Sequence, residues 1–401
     1  MTEPRPTADI DLTDPRVVAD PYPELARMRA LGPVLWHEVS HRWLVFGHDE
    51  VAAALRDRRL GRLWEDREPG SRFAPFNLLH RHQMMENEPP EHTRLRRLVA
   101  QAFARGHVER LRPRVVELAD RLLGEVDPDA FDVVREYAEP LPVLVISELL
   151  GVPGDDHEQL RRWSQAIVRM YEQTSSPQVE QDALTASAEF ATYVREHAER
   201  KRRAPGDDLL SDLVRAHDAD DRLSQDEVVA SAVLLLNAGH EASVNVFGNG
   251  LVALLEHPDQ LALLHSEPDA AVTAVEEMIR FDSALQLFER TATDDVSLGG
   301  QVVRAGERIA VLLGSANRDG AVFERPDEFD VRRDPNPHVG FGAGVHFCLG
   351  APLARMELAE SLRRLVGRHP ELALTTPPRR RPTLVLRGYE SVRVTANGRN
   401  S

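Results

Sequence analysis

The residues best suited to chemistry lie in one short segment, 341–350, which reads Phe-Gly-Ala-Gly-Val-His-Phe-Cys-Leu-Gly. In it Gly342, Gly344 and Gly350 flank Cys348, which is the one cysteine of the chain. Glycine has no Cβ, so the backbone here can approach a large flat group closely. The thiol also precedes a predicted helix, whose unpaired N–H groups and dipole favour a thiolate. The segment is therefore a candidate site that binds through an anionic sulfur.

Three other interpretations of this segment are a buried apolar cysteine, a phosphate-binding loop and a dinucleotide-binding loop. A lone cysteine is more often a small buried apolar residue than a ligand. A phosphate loop would need a Gly-Lys-Ser/Thr sequence, which is absent, and a dinucleotide fingerprint would need glycine in place of Phe347. One cysteine also excludes an internal disulfide and every metal site that uses several thiolates.

A long helix should supply the second candidate site. Ser224 and Glu227 have the spacing of a capping box, and the helical pattern continues to about Glu256. Residues 233–236 are apolar on all sides, so the helix is expected to cross the core. Polar residues then follow at once in the sequence Asn-Ala-Gly-His-Glu, residues 237–241. Buried polar groups and glycine destabilise a core helix, and such exceptions are expected at functional sites.

The rest of the chain predicts a mainly α protein with small β-sheets, in one domain that spans residues 1–401. In chain order we expect a strand pair within 34–60, an irregular segment over 61–90, mostly helix over 92–280, a tight hairpin at 296–303, a last helix from Pro352 to about Arg368, and a terminal hairpin within 383–395.

Composition limits the possible partners and compartments. Of the 401 residues 42% are hydrophobic, and the net charge of −16 disfavours binding to nucleic acid or anionic lipid. Residues 1–23 are polar and proline-rich, unlike a signal peptide, and the longest apolar run, 228–238, is too short to span a membrane. We therefore expect a soluble, cytoplasmic protein without a membrane anchor.

The 341–350 segment resembles the cysteine loop of the bacterial, class I cytochrome P450 family, Phe-Gly-x-Gly-x-His/Arg-x-Cys-x-Gly, at every position. The resemblance implies haem b (iron protoporphyrin IX), with Cys348 as the iron ligand and Phe341 packed beside the haem. It also implies that Gly342 and Gly350 shape the loop and that His346 meets a haem propionate. The implied fold is a triangular prism, with the haem between the long central helix and the helix that follows the cysteine.

Further motifs of the family occur in the same order along the chain. Glu277-x-x-Arg280 resembles its Glu-x-x-Arg pair, and Arg332 stands where a third, structural partner is expected. His92 and Arg96, one helical turn apart, and Arg290 match residues that bind the haem propionates, since buried carboxylates need cationic partners. The resemblance covers about residues 90–390.

One position departs from the family pattern. Residues 238–243 read Ala-Gly-His-Glu-Ala-Ser, so Glu241 matches the expected acid but Ala242 replaces the usual threonine. The threonine hydroxyl would order a water that delivers protons, and Ser243 lies about 100° around the helix. Three explanations remain open: a substrate group orders the water, Glu241 and Asn237 order it, or the reaction couples or cyclises its substrate without oxygen insertion.

The resemblance implies O2 as a substrate and NAD(P)H electrons that arrive through a ferredoxin and its reductase. Basic residues near the cysteine loop could dock the ferredoxin, namely Arg105, Arg355, Arg363 and Arg364. The expected pocket is mainly apolar and suits a mid-sized natural product. Its candidate residues are Phe76, Met84, Met85, Leu234, Asn237, Ala238, Leu285, Leu287, Phe288 and Tyr389.

The sequence thus predicts a monomeric haem-thiolate monooxygenase that hydroxylates or epoxidises a secondary metabolite, with Cys348, Glu241 and Ala242 at the reacting centre. Oxidative coupling or cyclisation is the alternative that Ala242 suggests. A non-catalytic recruitment or gas-sensing relative is a third class, but such a protein would be expected to lose Cys348 or Glu241.

Overall fold

Helices form most of the chain, as the sequence predicts. This computed structural model describes residues 5–100, 103, 105–172, 175–218 and 223–398. The α-helices are α1 (Pro15–Ala19), α2 (Tyr22–Leu31), α3 (His48–Arg56), α4 (Gly70–Arg81), α5 (Glu91–Ala100), α6 (Arg105–Glu125), α7 (Pro140–Leu150), α8 (His157–Val168), α9 (Pro177–Arg203), α10 (Leu209–Asp218), α11 (Gln225–Glu256), α12 (Pro258–Ser266), α13 (Ala271–Phe281), α14 (Leu313–Ala316) and α15 (Ala351–Arg368).

The strands form small sheets at the periphery of the helices. They are β1 (Val34–His37), β2 (Arg42–Val45), β3 (Leu60–Gly61), β4 (Phe131–Asp132), β5 (Leu287–Ala292), β6 (Val296–Leu298), β7 (Gln301–Val303), β8 (Arg308–Leu312), β9 (Ala373–Leu374), β10 (Arg379–Arg380), β11 (Tyr389–Ser391) and β12 (Arg393–Thr395). The largest sheet has the order β1-β2-β8-β5-β3, and β2 and β8 run parallel. The predicted strand pair and the β6–β7 hairpin are confirmed.

The central helix α11 begins as predicted. The Ser224 hydroxyl accepts a hydrogen bond from the backbone N–H of Glu227 at 3.1 Å, and the Glu227 carboxylate accepts one from the N–H of Ser224 at 2.6 Å. Two of the backbone N–H groups that lack an intrahelical partner at this end are thereby satisfied. The helix packs against α4, α7, α9, α13 and α15 and is buried over nearly its whole length. It is therefore the axis around which the helical core is built.

The prediction of an irregular segment over 61–90 is wrong. Helix α4 forms there despite Pro75 in its interior, and a 3-10 turn follows at Met84–Glu86. An interior proline costs one backbone hydrogen bond. Helix α4 buries Phe73, Phe76 and Leu79, and it packs against α9 and α11. The apolar surface removed from water explains why the helix persists.

The predicted terminal hairpin within 383–395 is also wrong. Strand β11 pairs with β10, whereas β12 pairs with β4 and β9 in a separate sheet. Alternating side chains indicate a strand, but they do not identify its partner.

None of the helices in the described ranges is both long enough and apolar enough to cross a membrane.

Candidate active site

The cysteine loop owes its shape to two glycines in the left-handed region. Gly342 has φ +71° and Gly344 has φ +70°, and a Cβ on Gly344 would lie 2.5 Å from the carbonyl oxygen of Leu55. The two ends of the loop are joined where the N–H of Cys348 donates to the carbonyl of Phe341 at 2.9 Å. Side chains at either glycine would be strained, so this backbone path requires both.

The thiol of Cys348 lies immediately before α15. Its sulfur accepts hydrogen bonds from the backbone N–H groups of Gly350 and Ala351. Burial raises the pKa of the thiol, and these hydrogen bonds together with the charges of Arg96 and Arg355 offset part of the rise. These groups favour the thiolate, but burial outweighs them, so a bound metal ion would be needed to deprotonate the thiol.

Two of the predicted cofactor-binding residues meet beside the loop. The rings of His92 and His346 are 4.5 Å apart, and Arg96 donates to the carbonyl of Phe347 at 2.7 Å. His92 is buried, its Nδ1 has no hydrogen-bond partner among the described residues, and burial lowers its pKa to about 4. An unpaired buried ring nitrogen of this kind indicates a place for an external hydrogen-bond partner.

Arg290 is a second buried polar side chain that indicates a place for an external partner. It is buried, it donates to the carbonyl of Glu289 at 3.0 Å, and no carboxylate in the described parts of the chain lies within ion-pair distance of it. Burial lowers the pKa of Arg290 to about 9. An isolated buried cation is costly unless a partner compensates it. A carboxylate-bearing ligand at this position would supply that compensation.

His346 has a partner that the sequence did not predict. Its Nε2 hydrogen-bonds the carboxylate of Glu88 at 2.8 Å, and the same carboxylate accepts from the backbone N–H of Arg62 at 2.7 Å. The side chain of Arg62 pairs with Glu86. Neither carboxylate belongs to a motif with a recognisable spacing, so no pattern in the sequence could have identified them.

The predicted Glu277–Arg280 pair is fully buried. Its two hydrogen bonds measure 2.7 Å each, and Arg280 also donates to the carbonyls of Asn317, Pro326 and Glu328. These contacts tie α13 to the segment that leads into the cysteine loop.

The predicted third partner of this pair, Arg332, is not in contact with it. Arg332 pairs instead with Glu267 near the surface, and the adjacent Arg333 donates to Glu277 at 3.1 Å. The backbone before the cysteine loop is irregular, so the motif alone does not indicate which of the two neighbouring arginines points inward.

The middle of α11 has one open face. Ala238 and Ala242, one turn apart, are exposed, whereas Asn237, Glu241 and Ser243 are buried. The burial of Ser243 agrees with the expectation that it points away from Ala242. The small side chains leave room beside the helix for a flat group, which is the space that the sequence assigns to a cofactor and substrate.

Glu241 faces a different side of α11. One carboxylate oxygen lies 3.4 Å from Nη1 of Arg381, and the other has no hydrogen-bond partner within the described structure. Burial raises the pKa of Glu241, and the charge of Arg381 opposes that rise. The neighbouring His240 is buried, and burial lowers its pKa to about 4.

Glu241 lines a cavity of about 990 Å³ that opens toward solvent. It lies between α7, α8 and the segment 379–390, and charged residues line much of it, including Glu139, Arg161, Glu172 and Arg381. The sequence did not predict this cavity, because its walls come from distant parts of the chain. It gives Glu241 a polar route to the outside.

The sequence also did not predict a second buried carboxyl, that of Glu357. Glu357 lies on α15, which packs against α11, and burial raises its pKa to about 8.

The predicted pocket residues divide into two groups. Met84, Met85, Ala238, Leu285 and Phe288 are at least partly exposed. Phe76, Leu234, Asn237, Leu287 and Tyr389 are buried.

Leu287 and Phe288 cannot line the same wall. They are consecutive residues of β5 and therefore point to opposite faces of the sheet. Leu287 packs in the cluster of the N-terminal segment, whereas Phe288 lies beneath the guanidinium groups of Arg62 and Arg290. Tyr389 accepts a hydrogen bond from Arg380 at 2.7 Å.

The predicted ferredoxin-docking arginines mostly have carboxylate partners. Arg355 pairs with Glu276, Arg363 with Glu360, and Arg364 with Asp120. The side chain of Arg105 lies outside the described residues.

Comparison with known proteins agrees with this site. A profile of the family described as Cytochrome P450 matches residues 29–369. The chain is 42% identical over 381 residues to Cytochrome P450 monooxygenase PikC of Streptomyces venezuelae, covering 93% of this chain and 89% of that protein. It is 41% identical over 374 residues to Nocardicin C N-oxygenase of Nocardia uniformis subsp. tsuyamanensis, covering 91% and 92%.

A solved structure shares the fold. The crystal structure of P450BioI in complex with an acyl carrier protein ligated to hexadec-9Z-enoic acid superposes with a TM-score of 0.91 at 34% identity, covering 95% of this chain and 99% of that one. The predicted mainly α fold with small sheets is therefore confirmed. The chain belongs to the cytochrome P450 family and is an oxidoreductase of the monooxygenase type.

Proposed function

We propose that this cytochrome P450 binds haem b through Cys348 and uses O2 and ferredoxin-supplied electrons to hydroxylate or epoxidise a mid-sized natural product. The observation that carries the proposal is the environment of Cys348. Its sulfur accepts two backbone hydrogen bonds. The buried cation Arg290 and the unpaired Nδ1 of His92, neither of which has a carboxylate partner among the described residues, lie in the same part of the structure.

The residues present fit the cofactor that the family uses. His92, Arg96 and Arg290 would hold the propionates, because each is at least partly buried and none has a carboxylate partner within ion-pair distance in the described structure. Phe341 would pack beside the ring, and the open face at Ala238 and Ala242 leaves room for it. When bound, a thiolate-ligated haem supplies the oxygen and redox chemistry.

Apolar side chains together with one polar atom support the substrate class. Ala238, Leu285 and Phe288 offer partly exposed apolar surface. Buried Asn237 has an Oδ1 without a hydrogen-bond partner among the described residues, which supports a hydrogen bond to a substrate donor. The relative named for N-oxygenation of nocardicin C also supports a secondary metabolite as the substrate.

The labelled-oxygen content of the product tests the proposed reaction. The holoenzyme, a ferredoxin, its reductase and NAD(P)H would be incubated under ¹⁸O2 with compounds that perturb the haem spectrum. We expect one labelled oxygen atom in the product. A product that is coupled or cyclised and carries no label would replace the proposal with the alternative that Ala242 motivates.

Glu241 is proposed as the group that holds and moves a proton. Because burial raises its pKa, the carboxyl stays protonated to a higher pH than an exposed glutamate. Proton donation should therefore be strongest at low pH and be lost as pH rises through that pKa.

We expect Glu241→Gln to slow product formation by about a hundredfold. The rate should also no longer fall as pH rises through the pKa of the Glu241 carboxyl. Glu172→Gln is the matched control, since Glu172 lines the same cavity and burial also raises its pKa. Rates and pH profiles of both variants provide the measurement. Equal effects from the two substitutions would remove the special role of Glu241.

A further inference from the structure

A chain of three polar side chains stands beside the cysteine loop and has no part in the function described above. Arg355 donates two hydrogen bonds to Glu276, at 2.6 and 2.9 Å, and Nε2 of His338 lies 2.9 Å from the same carboxylate. The three residues come from α15, α13 and the segment before the loop. They therefore connect α13 and α15, which begins just after Cys348, to the chain that enters the loop.

The hydrogen bonds fix the tautomer and the charges. The N–H of Gly340 donates to Nδ1 of His338 at 3.1 Å, so the ring carries its proton on Nε2 and donates to Glu276. Burial opposes ionisation of Glu276, but the hydrogen bonds from His338 and Arg355 outweigh it and hold its pKa at about 2. Glu276 is therefore an anion at every working pH and keeps Arg355 in one place.

Arg355 in turn contacts the cysteine loop. Its guanidinium lies 4.4 Å from the centre of the Phe341 ring, and the His338 ring is 5.9 Å from that ring. A cation over an aromatic face is attracted to it. Phe341 accepts the backbone hydrogen bond from Cys348, so the stacked ring and the thiol belong to one unit. The charge of Arg355 also acts on the Cys348 sulfur.

We propose that Arg355, held by Glu276 and His338, is a positioning residue that sets the reduction potential of the iron bound by Cys348. The inference rests on the proposed ligation of haem iron by Cys348. Reduction adds negative charge at the iron, so a nearby cation stabilises the reduced form and raises the potential. Glu276 partly cancels that cation and lowers the potential.

The two substitutions described next should shift the midpoint potential of the haem in opposite directions. Simple support of the loop would not produce that difference. In the holoenzyme, Arg355→Met should lower the midpoint potential, because the cation is lost while the aliphatic stem remains. Glu276→Gln should raise it, because the cation is no longer neutralised. Arg355→Lys should restore part of the loss. Each of the first two should change the ratio of reduced to oxidised haem at a fixed potential by about threefold to tenfold.

Arg364→Met is the matched control. Arg364 lies further along α15, its side chain is 43% exposed against 40% for Arg355, and it also pairs with a carboxylate, that of Asp120. Potentials would be measured by spectroelectrochemistry, with haem content as a check on folding. We expect Arg364→Met to leave the potential unchanged.

The possible results separate the inference from its premise. Shifts of the same sign in Arg355→Met and Glu276→Gln, or no shift in either, would overturn the inference. A normal potential combined with weakened ferredoxin binding in Arg355→Met would overturn it too and assign Arg355 to docking. If the unsubstituted protein shows no thiolate-ligated haem, the proposed function fails first, and the inference falls with it.

Discussion

Replacing Cys348 with serine is expected to abolish the red-shifted Soret band of the reduced carbon monoxide complex and to lower turnover by more than about a thousandfold. Cys348 is the one cysteine of the chain. The backbone hydrogen bonds that its sulfur accepts favour a thiolate. A serine hydroxyl remains protonated near neutral pH and donates far less electron density to iron. The fold should survive, because one atom is exchanged in a partly buried position.

The measurement is the absorbance of dithionite-reduced protein under carbon monoxide, with haem content and thermal unfolding of each variant. Val345→Ala, in the same loop, is the control and should retain the band. If Cys348→Ser also retains it, the sulfur is not the ligand. If the unsubstituted protein shows the band of histidine-ligated haem, or binds no haem, the non-catalytic class becomes the leading hypothesis.

Arg280→Ala should lower the free energy of unfolding by about 3–5 kcal/mol. The substitution leaves Glu277 as a fully buried carboxylate with one fewer cation, and it removes the donors to three backbone carbonyls. Domains are stable by only about 5–15 kcal/mol, so the loss is a large share of the total. We expect little haem-loaded protein and a markedly lower midpoint of denaturation.

Arg332→Ala is the control for that substitution. Its ion pair with Glu267 is about half exposed, at 53% and 50%, and pairs of that kind contribute only about 0–1 kcal/mol. Denaturant titrations of both variants would test the assignment of the buried network to Arg280 and Arg333. A loss with Arg332→Ala as large as that with Arg280→Ala would contradict it.

Local patterns were enough to predict several features. The capping box at Ser224 begins α11 because its two hydrogen bonds span only four residues. Gly299 and Gly300, both with positive φ, form the β6–β7 turn for the same local reason. Helix α4 shows the limit of this reasoning, because burial against α9 and α11 overrides the proline that its sequence displays.

The sequence by itself determined the family, the position of the thiol and the Glu277–Arg280 pair, because each rests on short motifs whose residues lie within a few positions of one another. Only the tertiary structure decided that Arg333 rather than Arg332 completes the pair, and that Arg381 stands beside Glu241. These partners are 56 and 140 residues apart. Their contacts depend on how helices and loops pack, and no spacing along the chain encodes that geometry.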